Sequence, residues 1–373
     1  MGWREAIREL VHQGAHSAEE TFDRLVARVR SRTGRDDPVM IQPYRGFGTR
    51  EELWLRGRVL EDEGIPEATD RDTLWQNVVA MYRRFESDEV PGARLEVAVG
   101  KTRLQVVSDG EGYFDTRIRP TSPPTPVDGW VELDIRLTHP VDARAVGRVR
   151  VPDPDAAFGI ISDIDDTILP SGATSLVTLA RRTFLHNART RLPFAGAAAF
   201  YRALRAGPTG ATDAPNPFFY VSSSPWNLYD FLDDFFDLNG IPEGPILLRD
   251  LGIDAEKLIK GGHDHKLDKI EGILGTYPHL PFVLVGDSGQ EDPELYAEAV
   301  ERHPGRVRTI YIRDVTRDAR DAEVRELMEG VATRGVDVRL VADSLEAAEH
   351  AAETGLIQPA ALDAIRADAV APS

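Results

Sequence analysis

Residues 160–169 read Ile-Ile-Ser-Asp-Ile-Asp-Asp-Thr-Ile-Leu, an apolar run that ends in three carboxylates, Asp163, Asp165 and Asp166. With Phe158, the residues before Asp163 are apolar enough for a buried parallel strand. In open α/β sheets ligands bind just outside the carboxyl ends of the strands. Three clustered anions repel one another and are costly to bury without compensation. A bound cation removes both problems, and Mg²⁺ favours carboxylate oxygens. The pattern points to Asp163 and Asp165 as a nucleophile and its acid/base partner beside a metal. A solvated Asp-rich turn is the other reading of these ten residues taken alone.

Three more stretches bear on that choice. Phe218, Phe219, Tyr220 and Val221 run straight into Ser222. Lys266 precedes Ile270, Ile273 and Leu274 at helical spacing. Phe282, Val283, Leu284 and Val285 lead into Gly286 and Asp287, with Asp292 shortly after. Asp163-x-Asp165-x-Thr167 resembles the first motif of the haloacid dehalogenase superfamily, mostly phosphatases, and these three stretches resemble its other motifs in the same order. The strings at 162–168 (Ser-Asp-Ile-Asp-Asp-Thr-Ile), 220–226 (Tyr-Val-Ser-Ser-Ser-Pro-Trp) and 286–296 (Gly-Asp-Ser-Gly-Gln-Glu-Asp-Pro-Glu-Leu-Tyr) look like the actin-patch-type phosphatidate phosphatases, Mg²⁺-dependent relatives of the lipins. The likeness is dense over 158–316, with fainter echoes at 43–48, 57–59, 310–315 and 355–357.

The resemblance implies a mechanism. Asp163 would attack phosphorus and form an aspartyl-phosphate, which splits hydrolysis into two easier steps. Asp165 would protonate the leaving alcohol and then take a proton from the attacking water. Ser222 and Lys266 would hold the phosphoryl oxygens. Mg²⁺ would be bound by Asp163, the backbone carbonyl of Asp165 and Asp287, with Asp292 nearby or acting through water. Thr167 would tie down the loop. The implied substrate is a phosphomonoester; phosphatidate at a membrane surface is the specific candidate, although the motifs serve the phosphoryl group and not the lipid.

Composition narrows the field. The chain has 373 residues, no cysteine and a formal net charge of −18. That length accommodates two domains with a core in each. Without cysteine, disulfides, thiolate metal sites and cysteine-based phosphatases are excluded. So acidic a chain is unsuited to non-specific nucleic-acid binding, and a lipid substrate would need a local docking patch. No apolar stretch reaches membrane-spanning length, and charged residues interrupt the hydrophobic positions of residues 1–12, unlike a signal peptide. A cytoplasmic protein, at most peripheral at the inner membrane face, is the expectation.

Three regions follow along the chain. Residues 1–36 form an N-terminal helical segment in which arginines outnumber acids; it packs on the body or lies on a membrane. Residues 37–152 alternate as half-buried strands at Leu53–Leu60, 95–99, 104–106 and 131–137, which predicts a β-sandwich-like domain with a helix over 72–84. In it Tyr44, Arg45 and Phe47 read as a structural turn or a small binding site. From 153 to 373 strands alternate with helices, an α/β domain with a Rossmann-like parallel sheet of haloacid dehalogenase type. Its strands are predicted at 158–162, 217–221, 245–248, 282–285, 307–312 and 337–341. The long separation of Asp163 from Ser222 predicts a small helical cap insert, with helices at 176–186 and 195–204. Arg181, Arg182, Arg189 and Arg191 there recognise a substrate anion or face water. His263 and His265 read as loop residues that orient Lys266, and 345–367 as one closing helix. The expected function is a Mg²⁺-dependent phosphomonoester hydrolase; the alternatives are a phosphatase of a soluble ester and a non-catalytic scaffold whose β-domain binds a partner.

Overall fold

The computed structural model describes residues 39–61, 89–164, 195–210, 214–249, 262–314 and 320–370. The expected helices at 1–36, 72–84 and 176–186, together with Asp165, Thr167, Arg181, Arg182, Arg189 and Arg191, lie outside the described residues.

The first eight strands are β1 (Val39–Pro43), β2 (Gly46–Gly48), β3 (Leu53–Glu61), β4 (Arg94–Val99), β5 (Thr102–Val107), β6 (Tyr113–Ile118), β7 (Trp130–His139) and β8 (Ala143–Arg150). They join in a single hydrogen-bonded path, β1-β3-β2-β8-β7-β4-β5, with β6 paired to β3. In β7 the side chains alternate strictly: Val131, Leu133, Ile135 and Leu137 point inward and Glu132, Asp134 and Arg136 face solvent. This is the two-residue period of a sheet wetted on one face. The inward set packs with Leu53, Leu55, Leu95 and Val97 in one core. Strand β8 reads Ala-Arg-Ala-Val-Gly-Arg-Val-Arg. Its few large apolar residues hid it from a pattern reading.

The second sheet holds β9 (Gly159–Asp163), β10 (Phe218–Pro225), β11 (Ile246–Arg249), β12 (Phe282–Asp287), β13 (Val307–Arg313) and β14 (Asp337–Val341). All pairings are parallel, in the order β11-β10-β9-β12-β13-β14. Strands β9 and β12 are buried along their whole length, as expected where helices cover both faces. One face, with Ile160, Tyr220 and Val283, packs against α1 (Ala197–Ala206), α2 (Tyr229–Leu238) and, further on, α6 (Ser344–Glu353) and α7 (Leu362–Val370). The other, with Ile161, Phe219 and Leu284, packs against α3 (Gly262–Thr276), α4 (Asp292–Arg302) and α5 (Arg320–Ala332).

Two expectations change here. Residues 195–204 do not cap the site: α1 lies in the core, with Phe200, Tyr201 and Leu204 buried against the sheet. The closing helix is two helices. Gly355 adopts φ +69 and a short 3₁₀ turn follows at Pro359–Ala361. A left-handed glycine ends a helix, and proline cannot extend one. Leu356 and Ile357, in the break, are buried.

The segment around Tyr44 is neither a simple turn nor a binding site but the joint between the two sheets. The Tyr44 ring stacks on Trp226 at 4.9 Å and lies 4.4 Å from that of Tyr229. The Tyr229 hydroxyl accepts the Arg45 N–H at 2.8 Å. Arg45 is paired with Asp233, and with Glu243 at 3.0 Å. Phe47 meets Phe219 edge-on at 5.9 Å, and the Gly48 N–H donates to the Tyr277 hydroxyl at 3.1 Å. Apolar rings here carry the docking and the charges orient it. Tyr44→Ala is expected to cost roughly 3–5 kcal/mol, as for other large aromatic truncations in cores. Urea unfolding followed by near-ultraviolet circular dichroism reads this, and an unchanged midpoint would show the joint to be energetically idle.

Candidate active site

The chain runs from β9 outward through β10 and β11, then returns to β12 and continues the other way through β13 and β14. Strand order therefore reverses between β9 and β12, and a crevice opens at the carboxyl ends of strands at such a point. Asp163 ends β9 and Asp287 ends β12. Val221 is in register with Asp163, so Ser222 follows one step later at the same end. Asp292 opens α4 just beyond β12.

Carboxylate oxygens of Asp163, Asp287 and Asp292 lie within 4.8 Å of one another, and all three residues are at most 2% exposed. Lys266 reaches the cluster from α3 and donates to Asp163 Oδ1 at 2.6 Å and to Asp292 Oδ1 at 3.1 Å. Burial alone would pull the Lys266 ammonium down, but Asp163 and then Asp292 outweigh it and hold its pKa above the ordinary lysine range. The lysine is thus a fixed positive charge. Three buried carboxylates gathered beside one ammonium form an all-oxygen donor set of a size that suits a hard cation such as Mg²⁺. The site's residues fit the metal.

Several features hold these groups in place. Gly286 is required by close approach: a Cβ there would stand 2.6 Å from Asp292 Oδ2. That oxygen accepts the Asp287 N–H at 3.2 Å. Asp287 Oδ1 accepts from the N–H groups of Gly289 at 2.7 Å and Gln290 at 3.1 Å, which folds the loop around its carboxylate. Arg320 donates to the Ser288 carbonyl at 2.9 Å and also holds that of Gln290. Behind Asp163, Ser162 Oγ donates to the Asp163 carbonyl and lies 2.7 Å from the Tyr201 hydroxyl. Burial, with Asp163 adding to it, pushes the Tyr201 phenol up and keeps it neutral. Burial, then Asp292 and Asp163, do the same to Tyr296, whose hydroxyl donates to the Val285 carbonyl at 2.8 Å.

Of the residues singled out from sequence, Asp163, Lys266, Asp287 and Asp292 converge. Ser222 sits at the same strand end, with its hydroxyl donating to Ser224 Oγ at 2.7 Å and accepting the Ser224 N–H at 3.0 Å. His265 is half-buried on α3 one residue before Lys266. Tyr201, Ser224 and Arg320 were missed. Tyr201 and Arg320 reach the site from α1 and α5, where no motif spacing marks them, whereas Ser224 lies two residues beyond Ser222 on β10 and was quoted without a role.

Residues 158–314 match the family model described as the catalytic domain of phosphatidate phosphatase APP1. Phosphatidate phosphatase APP1 of Saccharomyces cerevisiae is 34% identical over 158 residues, 42% of this chain and 26% of the relative. An uncharacterised protein of Schizosaccharomyces pombe is 28% identical over 162 residues, 43% of this chain and 26% of that one. The match thus spans about a quarter of the length of either relative. Among solved structures, a carbohydrate acetylesterase from Xanthomonas citri aligns over 79% of this chain and 66% of its own at 13% identity, with a TM-score of 0.32, too low to bear on the fold. The matched segment holds all four converging residues, and its similarity to a phosphatidate phosphatase catalytic domain supports a phosphatase-type enzyme.

Proposed function

We propose that this protein is a Mg²⁺-dependent phosphomonoester hydrolase that works through an aspartyl-phosphate at Asp163, with phosphatidate as its substrate. The observation that carries the reading is the buried cluster of Asp163, Asp287 and Asp292 around Lys266, inside the segment similar to a phosphatidate phosphatase catalytic domain.

Asp163 supplies the carboxylate oxygen that bonds to phosphorus while the bond to the leaving alkoxide breaks. Asp165, two residues on, gives that alkoxide its proton and then accepts one from the water that releases phosphate. Lys266 fixes Asp163 by its 2.6 Å hydrogen bond and offsets charge gathering on the phosphoryl oxygens. Ser222, one step past the residue in register with Asp163, would offer those oxygens a hydroxyl by turning it away from Ser224. Asp163, Asp287 and Asp292 would hold the metal, which when bound neutralises charge on the transferring group.

Phosphate release from phosphatidate in mixed micelles and from small soluble monoesters, each with and without Mg²⁺, tests the reading. Turnover of soluble esters alone would replace the lipid substrate, and no turnover of either would remove the enzyme. Excess chelator is expected to abolish release and Mg²⁺ to restore it, with Zn²⁺ a poor substitute at an all-oxygen site. Mg²⁺ should also raise the melting temperature of the chelator-treated protein, because it binds only the folded cluster. Full activity in chelator would exclude the metal.

No helix among the described residues is long and apolar enough to cross a membrane. Deletion of residues 1–36 tests that segment. A fall of turnover on vesicles alone would assign it the docking. A fall of both activities with earlier melting is expected if it packs on the body, and no fall in either would exclude it from docking.

A further inference from the structure

A second cleft, of about 680 Å³, lies between the two sheets. Trp130, Arg148 and Arg150 line it from β7 and β8, and Arg205, at the end of α1, lines it from the other side. Pro215 and Glu243, which also line it, precede β10 and β11, so the cleft lies at the amino end of the parallel sheet, opposite the end that carries the cluster. It is separate from the site of Asp163.

Its chemistry is unlike that of the chain as a whole. Four arginines (50, 148, 150 and 205) converge in a protein of net charge −18. Arg150 is 2% exposed, and the hydrogen bonds its guanidinium makes among the described residues go to neutral acceptors, the carbonyls of Asp128 at 2.9 Å and Pro215 at 3.5 Å. Its Nε has no hydrogen-bond partner among the described residues. The lining also holds Asp128, Asp153 and Glu243, so its four arginines exceed its acids by one, and Glu243 is paired with Arg45 and Arg148. Burial first, then the charge of Arg205, depresses the Arg150 guanidinium to about 10. A buried cation facing like charges is costly, and an anion would offset that cost. Arginine forks suit phosphate oxygens. The guanidinium groups of Arg148 and Arg150 lie 4.7 and 5.4 Å from the Trp130 ring, which holds them as a planar shelf.

We propose that this cleft is a second anion site that takes a phosphate-bearing small molecule and thereby ties the eight-stranded sheet to the parallel sheet. The volume exceeds what one phosphate needs and falls in the range of about 300–1,000 Å³ usual for small-molecule sites. The phosphate group is carried either by a soluble ester or by a lipid headgroup.

The test uses the full chain with Asp163→Asn in excess chelator, so that binding is read without turnover and a failure here leaves the catalytic proposal untouched. Calorimetric titration with inorganic phosphate and with glycerol phosphate is compared between this protein and the same protein carrying Arg50→Ala and Arg205→Ala, both outside the packed core. Loss of two charge-assisted contacts should weaken affinity at least about tenfold. Co-sedimentation with phosphatidylcholine vesicles, with and without phosphatidate, is the second arm. Arginine-dependent binding of the soluble anions assigns a soluble ligand; arginine-dependent binding to phosphatidate vesicles alone assigns a headgroup. Binding that ignores both arginines, or no binding in either arm, overturns the site. Arg150→Met adds a check on the buried charge: it should abolish anion binding and, with no ligand present, leave the protein at least as stable.

Discussion

Asp163→Asn is expected to reduce phosphate release to background, a loss on the order of 10⁶ by analogy with removal of the nucleophile in other covalent catalysts. An amide cannot form the aspartyl-phosphate. The substitution keeps the shape of a side chain that is 2% exposed and leaves an oxygen for Lys266 to donate to. The loss should therefore come with an intact near-ultraviolet circular dichroism spectrum. Single-turnover assays with a nitrophenyl phosphate, whose leaving group needs little protonation, isolate the phosphoryl-transfer step. If that step survives in Asp163→Asn, some other group attacks phosphorus and the assignment fails. Asp165→Asn, by contrast, should cost about 10²–10⁴ with alkyl esters and much less with the nitrophenyl ester, provided the second step does not limit.

The second large effect concerns Lys266. Lys266→Met should lower stability in chelator by about 3–5 kcal/mol, the range for breaking a buried ion pair from one side. Three carboxylates within 4.8 Å of one another would then face each other without their ammonium. Two outcomes distinguish this from ordinary core damage. The loss should shrink as pH falls and the carboxylates take up protons. It should also shrink when Mg²⁺ is added, with turnover still impaired because the phosphoryl oxygens lack their fixed charge. A destabilisation equal at every pH and indifferent to Mg²⁺ would mean that Lys266 matters for packing alone.

How far the site could be read from sequence depended on where its residues lie along the chain. Asp163 and Asp287 each follow an apolar run that can only be a buried strand, so their position at a strand's carboxyl end was legible from local pattern. Lys266 was legible as a helix residue from the spacing of Ile270, Ile273 and Leu274. Tyr201 was not, because α1 shows only its own amphipathic face and nothing marks the hydroxyl that will meet Ser162. The same blindness turned residues 195–204 into an expected cap. A helix that covers an active site and one that covers a sheet have the same apolar stripe.

The segment Tyr44–Phe47 gives the clearest case of a pattern with no local meaning. Two aromatics and an arginine beside two glycines suit a turn, a ligand site or an interface equally well. Only the arrival of Trp226, Tyr229, Asp233 and Phe219 from the other unit selects the interface. Arg150 is similar: within β8 it is one of three arginines, and nothing local predicts that it alone is almost fully buried.

By itself, then, the sequence determined the parallel α/β unit, the strand ends that carry Asp163, Ser222 and Asp287, and the acidic, cysteine-free chemistry available to them. These follow from interactions a few residues apart, which periodicity and composition record. Tertiary structure alone decided that β9 lies beside β12 at the reversal of strand order. It also decided that Asp163, Asp287 and Asp292 share one buried volume with Lys266, and that the two sheets meet at Tyr44 and enclose an arginine cleft. Those facts depend on contacts between residues far apart in the chain, such as Asp163 with Lys266 and Tyr44 with Trp226, whose free energy comes from burying each surface against the other. No stretch of either surface alone records its partner.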